Sequence, residues 1–112
     1  MAGNQARYNI SLWRGNSETI EFRFLDSSGA PDPVAVSGST FIFIIVDQRG
    51  VEIINKTATP VGAVVSISMS PTETRMVPVG ALCQYELERR IGTEQETWLY
   101  GQVIGMGGAN DD

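Results

Sequence analysis

Between Glu18 and Leu25 the chain alternates strictly, with Ile20, Phe22 and Phe24 on one parity and Thr19, Glu21 and Arg23 on the other. A period of two marks a strand with one dry and one wet face, because successive side chains of an extended backbone point to opposite sides. Apolar segments of strand length recur along the whole chain, and almost none carries the 3.6-residue period of a helix. Strands are predicted at residues 7–13, 18–25, 40–46, 51–57, 63–69, 82–91 and 97–106. The segment 40–46 is apolar on both parities and is therefore expected to be a central strand covered on both sides.

Turn chemistry separates these segments. Gly29, Pro31 and Pro33 mark a loop after Asp26, and Gly50, Gly62 and Gly92 mark tighter connections, the last of hairpin length. One stretch departs from the strand rhythm. Ser70 can cap a helix, Pro71 suits its first position, Glu73 falls three residues after the cap and Pro78 stops it, so residues 70–77 should form one short helical turn. About seven strands in a chain of 112 residues predict an all-β fold, an antiparallel β-sandwich of two layers.

That length and a hydrophobic content of 42% suit one core and one domain. The longest apolar run, residues 41–46, has six members, whereas a membrane-spanning helix needs roughly 20. The first residues lack the apolar region of a secretory signal, so the chain is expected to be made and kept in the cytoplasm. A single cysteine, Cys83, leaves core packing and the β ladder to hold the fold. The net charge is −5, histidine is absent and the eight basic residues are scattered, which argues against nucleic acid as a partner.

Candidate chemistry fails for want of partners, and no catalytic, cofactor-binding or metal-binding residue is assigned. Without histidine no Ser–His or Cys–His pair exists, and Cys83 reads as an inert thiol within a strand. Glu86 and Glu88 share one face at a separation usable for acid–base work, yet Cys83, Tyr85 and Leu87 form the apolar set beside them, so the glutamates read as the wet face. Asp26 and Asp32 bracket a loop lacking the alternating ligands of a calcium site, and Gly105, Gly107 and Gly108 open no phosphate-binding helix. Core packing accounts for one face of the last strand. Trp98, Tyr100, Ile104 and Met106 share one parity and Leu99 and Val103 the other, so one set needs cover from elsewhere. With Trp13 and Arg14, those four even-numbered residues are the candidate interface residues. The ends, residues 1–8 and 107–112, are expected to be flexible arms around a domain at 9–106, and residues 1–8 and 104–112 are expected to touch neighbouring subunits.

The order of features, with "RGNSETIEFRF" from Arg14, "DSSGAPDPVAVSGSTFIFIIVD" from Asp26, "SMSPTETRMVPVGALCQYELE" from Ser68 and "TWLYGQVIG" from Thr97, resembles the small Ig-like β-sandwich proteins of tailed bacteriophages, found in tail, baseplate and fibre regions and above all the N-terminal type of upper baseplate proteins. Pro33, Val34, Ala35 and Val36 replace the Asp-Leu usual at the end of that family's loop. The resemblance implies an Ig-like fold and a non-enzymatic structural protein of the virion, contacting copies of itself and other virion proteins in a homo-oligomer or lattice. The expected role is a tail, baseplate or fibre-attachment component. The alternatives are an adaptor or capsid decoration protein, since the chain stops at residue 112 instead of running into a fibre, and an adhesin module in which Trp13 or Trp98 stacks on a host-surface glycan.

Overall fold

The computed structural model describes residues 6–107. The described residues form eight strands, β1 (Ala6–Arg7), β2 (Ile10–Trp13), β3 (Glu18–Arg23), β4 (Thr40–Val46), β5 (Glu52–Ala58), β6 (Val64–Met69), β7 (Gly80–Ile91) and β8 (Glu94–Met106), and two four-residue helical turns, α1 (Pro33–Val36) and α2 (Pro71–Thr74). The fold is all-β. One sheet runs β1-β8-β7-β4-β5, with β2 also on β8, and the other contains only β3 and β6.

The antiparallel expectation holds for every pair except those of the N-terminal segment. Both β1 and β2 run parallel to β8, pairing Arg7 with Tyr100 and Ile10 with Val103. The one strand expected at residues 7–13 is interrupted at residues 8 and 9, between β1 and β2, where the chain crosses closely over β8. There the Tyr85 hydroxyl donates to the Tyr8 carbonyl at 2.6 Å, and that carbonyl occupies the space a Cβ on Gly101 would need, only 2.2 Å away. Residues 6–8, placed in a flexible arm on sequence grounds, thus include a strand and a sheet bond from Tyr8 N–H to the Tyr100 carbonyl. The remainder of both expected arms, 1–5 and 108–112, lies outside the described residues.

The core sits between the sheets, where Phe22, Phe43, Ile45, Val65, Ile67, Tyr85 and Leu87 are buried. Strands β8, β7, β4 and β5 follow the order of an immunoglobulin-type sheet, with β3 and β6 facing them. Immunoglobulin domains tie these two layers with a disulfide against a tryptophan. Here three rings take that place: Phe22 of β3, Phe43 of β4 and Tyr85 of β7 meet with centroids 5.5–6.3 Å apart. The second ring cluster, Phe24, Phe41 and Trp98, has centroids 5.4–5.7 Å apart.

The turn at Ser70 forms as expected, with a complete capping box between Ser70 and Glu73. A second turn, α1, stands where a loop was expected, and its Val36 is buried in the core. At the β7–β8 hairpin, Gly92 takes φ +58° at the first central position of a two-residue connection, a place that favours glycine.

Candidate interaction surface

Strand β4 builds the centre of the surface. Its residues alternate strictly, Phe41, Phe43 and Ile45 buried and Ile42, Ile44 and Val46 half-buried. The second set faces away from β3 and β6. The sequence predicted cover on both faces of this strand, but among the described residues only the inner face is covered, because β3 and β6 pack on that side and no third layer lies over the other.

Neighbouring strands extend this outer face. Register places Glu86 and Glu88 of β7 beside Ile44 and Ile42, and Tyr100 of β8 beside Glu86. Ser11 and Trp13 of β2 lie beside Ile104 and Met106. The result is a shallow trough of about 570 Å³ over Ile44, Val46, Gln84, Glu86, Tyr100 and Gln102, edged by Arg7 and Glu52. Ile44, Val46 and Tyr100 supply its apolar lining, and outside it Trp13 (50% exposed), Leu82 (45%) and Met106 (36%) also face solvent. Gln84, Glu86 and Glu88 of β7 run between the apolar residues of β4 and Tyr100 of β8, so the face mixes apolar and polar groups.

The six interface residues named from sequence divide here. Trp13, Tyr100, Ile104 and Met106 lie on this face. Trp98 does not. Leu87 pairs with Leu99 and Glu88 with Thr97, so Trp98 is the extra residue of a β-bulge, and its ring turns into the core against Phe24 and Phe41. The bulge breaks the parity that had grouped Trp98 with Tyr100. The Arg89 guanidinium lies 5.1 Å from the Trp98 ring centroid, while Arg89 also bonds Ser39 Oγ and Glu96. Arg14 is engaged within the chain, its guanidinium donating to the Arg75 and Val77 carbonyls and so tying the β2–β3 turn to the segment after α2.

Sequence reasoning missed Ile42, Ile44 and Val46 as surface residues. The signal was present in the double-parity apolar run, which was taken for a strand buried on both sides.

The carboxylates are used locally. Asp26 accepts from the hydroxyl and amide of Ser28 and from the amide of Ala30, which hold its carboxyl below the usual range. The Val51 amide does the same for Asp47, assisted by Arg49. Both are turn anchors. Cys83 is buried and its thiol pKa is pushed up by desolvation. Among the described residues, no three of His, Cys, Asp and Glu are grouped so as to hold a metal ion.

No protein-family model matches the chain, and no curated protein does. Among solved structures it is similar to the N-terminal domain of ORF48 from phage TP901-1, with a TM-score of 0.54 and 13% identity over 89% of this chain and 86% of that one. At that identity the likeness is one of fold.

Proposed function

We propose that this chain is a non-enzymatic structural protein of a bacteriophage virion, a tail, baseplate or fibre-attachment component that works by docking its outer sheet face onto neighbouring virion proteins. The observation carrying this reading is the outer sheet face: Ile42, Ile44 and Val46 of β4 and Tyr100, Ile104 and Met106 of β8 flank Gln84, Glu86 and Glu88 of β7, and among the described residues no third layer covers them. An apolar sheet face left to water raises solubility problems that a partner surface removes. The phage origin of a domain sharing this fold supports the setting. A net charge of −5 without a basic cluster fits protein partners better than nucleic acid.

Antibody raised against the chain should label virions at one structural location in negative-stain images. Labelling absent from virions and confined to host lysate would overturn the assignment.

One observation favours a second reading, a glycan-binding adhesin. The Tyr100 ring is 41% exposed in a trough that also holds Gln84, Gln102 and Glu86, groups able to bond sugar hydroxyls beneath a stacked ring. Titration with host-surface glycans separates the two. Saturable binding lost in Tyr100→Ala favours the adhesin, and absence of binding favours docking.

A further inference from the structure

We propose that two copies of this chain join edge to edge through β3, antiparallel and centred on Phe22, to make one continuous four-stranded sheet β6-β3-β3-β6. The two-stranded sheet leaves β3 with an open side. Which backbone groups face that side follows from the ladder. Phe24 N–H donates to the Ala63 carbonyl at 2.9 Å, whereas both backbone groups of Val64, the partner of Arg23, turn away to Val61. The even-numbered residues of β3 therefore bond to β6, and the N–H and C=O groups of Thr19, Glu21 and Arg23 point to the open edge. All three residues are exposed, and unpaired edges of this kind are templates for another strand.

Charge selects the register. Hydrogen-bonded pairs across a two-fold axis must join odd-numbered residues to odd-numbered residues. Centring on Phe22 sets Glu21 against Arg23 of the other copy, twice, and Thr19 against Leu25 twice. Sliding by two residues one way opposes Glu21 to its own copy, and sliding the other way opposes Arg23 to its own. Only the Phe22-centred register pairs opposite charges. In the single chain Arg23 and Glu21 already bond each other at 2.7 Å, so both side chains stand on the same exposed face of β3, where the second copy's pair would meet them. The other face of the strand supports the same register, which sets Ile20 against Phe24 of the second copy. Both are packed only partly against the core, and Leu25 is 57% exposed.

The test is sedimentation equilibrium of the full chain, with Arg23→Glu and with the exchanged pair Glu21→Arg plus Arg23→Glu, each checked for native circular dichroism. A dimer is expected for the parent, about tenfold or more weaker in Arg23→Glu, where two like-charge contacts replace two attractive ones, and restored in the exchanged pair. High salt should weaken the parent dimer as well, a readout that stands even if the single variant misfolds. A parent that stays monomeric, or a dimer indifferent to both the exchanges and salt, overturns the proposal. An exchanged pair no tighter than Arg23→Glu also overturns it, by removing the register on which it stands.

Discussion

Two glycines of β8 show how a single missing side chain sets the path of the backbone. A Cβ at Gly105 would stand 2.1 Å from the Pro78 carbonyl oxygen, and one at Gly101 would stand 2.2 Å from that of Tyr8. Both obstacles are backbone, so neither can swing aside, and both glycines mark places where another segment crosses the strand closely. Gly105→Ala is expected to cost about 1–3 kcal/mol, the range for overpacking, read as a lower denaturant midpoint. Phe43, in contact with Phe22 and Tyr85, is a cavity case, and Phe43→Ala should cost about 3–5 kcal/mol in the same measurement. Tyr85 adds a pH signature. Burial raises its phenol pKa from 10.0 to about 12, so the neutral form is the one the fold favours. The contribution is whole below pH 10 and is lost as pH climbs to about 12, because the unfolded chain then gains stability by ionising. Thermal scans should show stability falling over that window, with a shallower fall in Tyr85→Phe.

At the scale of elements, the strands were legible because alternation survives wherever a strand has one wet face. Phe22, Phe43 and Ile45, on the apolar parities of their strands, are buried in the core, and Phe24 packs partly against it. What the sequence hid was tertiary. A bulge inserts one residue without any special residue type, so the parity of Trp98 could not be read from spacing. The split of the first strand depends on Gly101, and a glycine announces a close approach without saying which segment approaches. The number of layers was equally hidden. Segment 40–46 has the composition of a strand covered on both sides, and nothing local says that β3 and β6 would cover only one. That mismatch turns a core-like strand into a surface. Substituting Ile44 and Ile104 together by threonine keeps β propensity while thinning the apolar face. The double variant should stay within about 1 kcal/mol of the parent, read by denaturant midpoint.

For the whole molecule, a sandwich with one six-stranded and one two-stranded sheet presents surfaces that its described residues do not cover. The outer face offers apolar area for a partner, and the β3 edge offers backbone groups, so the two surfaces suit different contacts: packing against one neighbour and strand pairing with another copy. The fold class, and the apolar parity of β8 beyond the bulge at Trp98, were readable from sequence. The outer face as a site emerged only when register joined Ile44 to Glu86 and Glu86 to Tyr100 across three strands. The central claim, that this face holds the protein in a particle, is tested most directly by the amount of chain in purified virions, quantified by mass spectrometry after complementation with the Ile44→Thr, Ile104→Thr double variant. The account predicts that this variant, soluble and folded, is depleted at least tenfold relative to the parent; incorporation at the parent's level would contradict it.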